Sequence, residues 1–213
     1  LSWYSFHRKG DGLFYDSWWG FSDLPNVSEH DLSFRHYITG PDGILRVWLR
    51  RGISGFRLDV SDELPDDFLR DIRRAARIEK PDAAILGEVW EDASHKISYD
   101  QYRDFLFGRT HDTIMGYPFQ KALLDWLGHR ATTGATIKIL ETLRENYPIQ
   151  SFYSSMNLIS SHDIPRAITV LAGLPDPGNR EVQAKTHLSE AARQRGLLQM
   201  RLAYLFQIMF PGI

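Results

Sequence analysis

An α/β fold built on a parallel sheet is predicted by two features of the sequence. Short apolar strands alternate with helices of about 10 to 15 residues, the order expected of right-handed βαβ units. Three of those strands also end in acidic or imidazole side chains, and in parallel α/β folds the C-terminal strand ends form the reactive face.

Residues 1–40 are rich in aromatics, Gly and Asp without a sustained period and read as an ordered, loop-rich segment; residues 41–213 carry the regular alternation. "PDGILRVWLRRG" predicts a helix with Ile44, Val47 and Trp48 inward and Gly52 as its stop. The strand "GFRLDV" follows directly. "PDDFLRDIRRAARIEKP" predicts a helix opened by Pro65 and acidic residues, with Phe68, Leu69, Ile72 and Ala76 inward and Pro81 beyond its end. "AAILGEVW" is a second buried strand and "HDTIMGYPF" a short one. "FQKALLDWLG" and "GATIKILETLRENYP" are helices, "MNLISSHD" is a third apolar strand, and "SEAARQRGLLQMRLAYLFQIMF" is a long helix that turns from amphipathic to buried.

Composition narrows the function. At 213 residues, 43% hydrophobic and 13% aromatic, the chain can bury a sizeable core. A formal net charge of -2 without a basic cluster argues against nucleic acid or an anionic membrane as partner. No window approaches the roughly 18 apolar residues of a membrane span, and Leu1 opens no signal-peptide pattern. Because the first residue is not Met, the natural start is expected upstream or removed. The absence of cysteine excludes disulfides, zinc–thiolate sites and a Cys nucleophile, and it fits a reducing, cytoplasmic compartment.

The strand ends carry the chemistry. Arg57 and Asp59 lie two apart in a strand and share a face. Glu88 ends the second strand, and His162 with Asp163 ends the third. Paired carboxylates suit glycosidic bond cleavage: one attacks the oxocarbenium-like centre while the other protonates the leaving oxygen. Arg57 would hold Asp59 ionised and oriented. Plainer roles stay open at this point. Arg57–Asp59 can be a structural ion pair, Glu88 a helix-entry carboxylate, and Asp163 an N-cap before Pro165. A metal-dependent hydrolase is the chemical rival, although the histidines are scattered and no HxH or HExxH spacing occurs.

In this order "GFRLDVSDEL", "ILGEVW" and "LISSHD" resemble the second, third and fourth signature regions of the alpha-amylase family, glycoside hydrolase family 13. "WWGFSDLPNVSEHD" resembles the segment that precedes them in the neopullulanase, cyclomaltodextrinase and maltogenic amylase subgroup. The resemblance implies a partial (β/α)8 TIM barrel covering about strands four to seven and the start of strand eight. It implies a retaining glycosidase on alpha-glucans such as starch, maltooligosaccharides and cyclodextrins, with transglycosylation using the same residues. By position Asp59 matches the nucleophile, Glu88 the acid/base, Asp163 the third carboxylate, and Arg57 and His162 the sugar-site arginine and histidine. Trp90, and Trp18, Trp19 and Phe21, are candidate stacking surfaces for glucose rings.

The family's first signature is absent, and "FPGI" resembles only the start of strand eight. A complete barrel needs about 250 residues. The chain is therefore expected to be a fragment, weak or inactive alone, with open barrel edges able to pair with a second copy. A non-catalytic glucan-binding or partner-binding module on the same scaffold is the alternative. No cofactor is required; calcium at Asp11, Asp16 and Asp23 is weighed against plain solvated loop acids.

Overall fold

The computed structural model describes residues 2–174 and 178–213. Its first part is more regular than the sequence suggests. Strands β1 (Phe6–Lys9) and β2 (Gly12–Tyr15) pair antiparallel with Lys9 opposite Gly12, leaving Gly10 and Asp11 as the turn. Gly10 has φ of 61°, a left-handed conformation that glycine adopts without steric cost. A short 3-10 turn, Trp18–Gly20, follows. Helix α1 (Leu32–Thr39) begins where the Asp31 carboxylate accepts the Ser33 and Phe34 N–H groups at 2.8 and 3.0 Å. Paired hydrogen bonds and a cap built these elements where apolar periodicity was missing.

Helix α2 (Ile44–Arg50) buries Leu45 and Leu49. The expected face of Ile44, Val47 and Trp48 is corrected: Trp48 stays 45% exposed, with the Arg51 guanidinium 5.1 Å from its ring centroid. The i,i+4 pair Leu45 and Leu49 packs instead with Phe68 and Ile72 of α3 (Asp66–Glu79). That helix buries Phe68, Leu69, Ile72, Ala75 and Ala76, which include every residue expected to face inward.

Strand β3 (Gly55–Leu58) precedes α3 and β4 (Ala84–Gly87) follows it, and the two pair in parallel, Leu58 opposite Gly87. The connection from β4 onward carries a small hairpin, β5 (Ile97–Ser98) with β6 (Gln101–Tyr102), before β7 (Thr113–Ile114) joins β4 in parallel. Helices α4 (Tyr117–Leu127), α5 (Thr133–Asn146) and α6 (Ile149–Tyr153) come next.

The expected third apolar strand, "MNLISSHD", is not a strand but a single parallel bridge between Met156 and Met115. Its backbone groups are satisfied one at a time. Met156 N–H bonds Ile114 O, Asn157 N–H bonds Ile213 O, and the Gln207 side chain donates to Asn157 O. Ile213 N–H in turn bonds Ser155 O at 2.8 Å, so the sheet order runs β3, β4, β7, residues 155–157, then Ile213. This is an arc of a barrel, not a closed one.

Helices α7 (Ala167–Leu171), α8 (Arg180–Lys185) and α9 (Glu190–Met209) complete the chain. The expectation that α9 becomes buried is corrected: it buries Gly196 and Ala203, while Leu198, Leu202, Leu205, Ile208 and Met209 are exposed. Gly196 is needed for this contact, because a Cβ there would fall 2.8 Å from Ile168 O. Among the described residues no helix is long and apolar enough to cross a membrane.

Candidate active site

The site is built on the C-terminal ends of the parallel strands. β3 stops at Leu58 because Val60 turns into a left-handed conformation, φ of 40°, which is costly for a β-branched residue. The turn is held from outside: the Val60 N–H donates to Glu88 Oε2 at 2.7 Å, and the Ser61 hydroxyl donates to Glu88 O at 3.2 Å. Gly87 allows this approach, since a Cβ there would lie 2.9 Å from Ser61 Oγ and 2.5 Å from His111 Cδ2. The loop after Asp59 and the carboxylate of Glu88 are thus one assembly.

Arg57 ties the strand ends together. Its Nη1 donates to Asp59 Oδ1, its Nη2 pairs with Glu88 Oε2 at 3.0 Å, and its Nε contacts Met115 Sδ at 3.4 Å just beyond β7. One guanidinium therefore faces two carboxylates in very different settings. The Asp59 side chain is 78% exposed and that of Glu88 only 3%. Glu88 accepts a third bond, from Trp90 Nε1 to Oε1 at 3.2 Å.

Trp90 is not an isolated stacking platform. It stacks on Tyr117 with ring centroids 4.5 Å apart and planes 10° from parallel, and it remains 43% exposed. Tyr117 opens α4, is buried, and its hydroxyl donates to Ser161 Oγ at 3.3 Å. Ser161 Oγ also accepts the Asp163 N–H at 3.2 Å. Burial pushes the Tyr117 hydroxyl above the ordinary phenol range; its bond to Ser161 opposes this, and the charges of Glu88 and Asp163 reinforce it.

The structure therefore brings Arg57, Asp59, Glu88 and Trp90 into direct contact. Asp163 joins them through Ser161 and Tyr117. His162 pairs with Asp163, Nε2 to Oδ1 at 3.2 Å, with its side chain 80% exposed. Tyr117, Ser161 and Met115 were missed in the sequence, although "MGYP" directly follows a strand and its ring position was available to the same strand-end reasoning. Trp18 and Trp19 stack on each other at 4.8 Å and 10°, with Trp19 72% exposed, in the turn of the N-terminal segment. Among the described residues no group of three or more His, Asp or Glu is placed to hold a metal ion, and Asp16 pairs with His7 at 3.6 Å.

Residues 19–192 match the family model of the alpha amylase catalytic domain. The amylopullulanase of Thermoanaerobacter thermohydrosulfuricus is 31% identical over 235 residues, covering 99% of this chain and 15% of the relative. Neopullulanase 2 of Thermoactinomyces vulgaris is 34% identical over 193 residues, covering 89% of this chain and 27% of the relative. The type III pullulan hydrolase from Thermococcus kodakarensis superposes with a TM-score of 0.75 at 26% identity, covering 99% of this chain and 34% of that one. The chain spans about a third or less of each of these proteins. It belongs to the alpha-amylase catalytic-domain family, glycoside hydrolase family 13, whose matched members are glycosidases.

Proposed function

We propose that this segment supplies the catalytic face of a retaining alpha-glucan glycosidase. The observation that carries the reading is the single Arg57 guanidinium bonded to both Asp59 and Glu88 at adjacent strand ends. Retention needs two carboxyl groups about 5 to 5.5 Å apart, close enough for one to attack the anomeric carbon while the other serves the leaving oxygen. A shared guanidinium holds two carboxylates at that kind of spacing.

Exposure divides the roles. Asp59 reaches into open space and is the nucleophile. Glu88, buried under Val60 and Trp90, protonates the departing oxygen and then activates water. Asp163 and His162 hold sugar hydroxyls and stabilise the distorted ring, and the exposed part of Trp90 offers a surface for a glucose face. The relatives' names, amylopullulanase, neopullulanase and cyclomaltodextrinase, support alpha-glucans as the substrate class.

The test is reducing-sugar release from maltooligosaccharides, cyclodextrin and pullulan, measured for the natural polypeptide carrying this sequence and for the 213-residue chain in parallel. Release that disappears in Glu88→Gln while glucan binding persists supports the reading. Binding without release in the unaltered protein would replace it with a glucan-binding module.

A further inference from the structure

Two side chains whose roles were not read from the sequence connect the ends of the site. Tyr117 lies between Trp90 on one side and Ser161 on the other, and both neighbours touch a carboxylate residue. We propose that Tyr117 is a positioning residue whose ring holds the Trp90 indole against Glu88 and whose hydroxyl holds the Asp163 backbone through Ser161. The proposal rests on the roles of Glu88 and Asp163 given above.

The anchor itself is rigid. Tyr117 N–H bonds Met115 O at 2.9 Å, and the preceding Gly116 N–H bonds Met156 O at 2.8 Å. Gly116 is packed so closely that a Cβ would meet Asn157 Oδ1 at 3.0 Å and Met156 O at 3.1 Å. Pro118 follows at the opening of α4, where its fixed φ suits the first helical turn. Tyr117 is only 4% exposed, whereas Trp90 is 43% exposed and makes its bond to Glu88 from the edge of the site. A half-exposed indole keeps one rotamer only when something packs behind it; the parallel Tyr117 ring does so.

The hydroxyl marks a role beyond filling space. Phenylalanine would pack the same volume, yet Tyr117 O–H and Asp163 N–H converge on one serine oxygen, using both of its acceptor positions. Asp163 lies inside an irregular stretch, residues 157–166, between the bridge at Met156 and helix α7. Ser161 and Tyr117 fix its backbone there.

The experiment compares two substrates. Maltotriose has a poor leaving group and needs proton donation; 4-nitrophenyl α-maltoside has a good one and needs little. Glu88→Gln serves as reference, with a large loss of kcat/KM on maltotriose and a small one on the nitrophenyl substrate, because kcat/KM reports the step in which the leaving group departs. Tyr117→Phe keeps the ring and removes the hydroxyl, so kcat should fall about tenfold on both substrates, the effect of one lost hydrogen bond. Ser161→Ala should match it, and the double variant should be no worse than either single one. Tyr117→Leu also removes the stack, and its extra loss in kcat/KM should be confined to maltotriose.

A folding defect is separated by the indole N–H resonances of the 213-residue chain: in Tyr117→Leu the Trp90 signal should move toward its solvent value while the other five tryptophans keep theirs. Wild-type kcat in Tyr117→Phe, additive losses in the double variant, or equal losses on both substrates in Tyr117→Leu would overturn the proposal alone. Absence of the leaving-group split in Glu88→Gln would overturn the acid assignment, and the proposal with it.

Discussion

Two arginine–carboxylate clusters occupy opposite ends of the same parallel sheet. At the entry to β7, Asp112 accepts the Ile85 N–H at 2.8 Å and pairs with Arg73 at 2.7 Å and Arg77 at 2.8 Å. At the exit of β3 and β4, Arg57 pairs with Asp59 and Glu88. The first cluster is closed. Both Asp112 oxygens are occupied by β4 backbone or by α3 guanidinium groups, so the carboxylate pins a helix and two strands together. Burial works to raise its pKa, but the Ile85 N–H and the two arginines outweigh burial and hold it below the usual carboxylate range. The second cluster is left open on one side, with Asp59 78% exposed beyond its bond to Arg57. An ion pair inside an α/β sheet is therefore not in itself a sign of reactivity. The unspent bonding capacity of one partner is.

That contrast can be broken from either end. The largest effect is expected at the open cluster, where Glu88→Gln should lower kcat by about 10³-fold, the scale of lost general acid–base catalysis. Asp59→Asn should also remove turnover while shifting unfolding free energy by no more than about 0.5 kcal/mol, because the side chain is exposed. Kinetics paired with urea denaturation check both.

Next comes the group beneath Gly87. His111 is 1% exposed, neither ring nitrogen has a hydrogen-bond partner among the described residues, and burial pushes its pKa down to about 4. The unfolded chain takes up a proton near pH 6.5 and the folded one only near 4, so the unfolded state binds more protons between these values. Stability should fall by an amount on the order of 3 kcal/mol as pH drops from about 6.5 to about 4, and level off below. Urea midpoints against pH should show this slope in the natural protein and lose it in His111→Gln.

At the closed cluster Asp112→Ala should cost about 2 kcal/mol, leaving the Ile85 N–H and two arginines without their partner, with KM unchanged in the folded fraction. A KM change comparable to that of an Asp59 variant would mean that the two ends are not separate. The smallest effect lies far from both: Thr132 caps α5 by accepting the Ala135 N–H at 3.2 Å, and Thr132→Ala should cost about 1 kcal/mol in a thermal unfolding experiment.

What the sequence made legible follows from what carries information locally. The α3 face was readable because Phe68, Leu69, Ile72 and Ala76 repeat with the period of a helix against a sheet. That Arg57, Asp59 and Glu88 meet was readable because each ends or closely follows an apolar strand of one parallel sheet. The β1–β2 hairpin was not, since both of its strands are exposed and supply no apolar alternation. The α2 face and the strand expected at "MNLISSHD" failed for a related reason: each depends on which distant residue packs against it, Phe68 in one case and Ile213 in the other. Tyr117 was hidden because its importance lies in two contacts, with Trp90 and Ser161, at separations of 27 and 44 residues.

Asp59 is the open member of the pair, 78% exposed, and under the proposed function it forms the bond to the sugar. The most direct measurement is mass spectrometry of the Glu88→Gln variant incubated with a fluorinated maltosyl fluoride, which forms the glycosyl-enzyme but hydrolyses slowly. One fluorinated maltosyl unit should be added, with release of the anomeric fluoride, on the peptide that contains Asp59, and none in Asp59→Asn. A label on another residue, or turnover that inverts the anomeric centre with Asp59 unmodified, would contradict it.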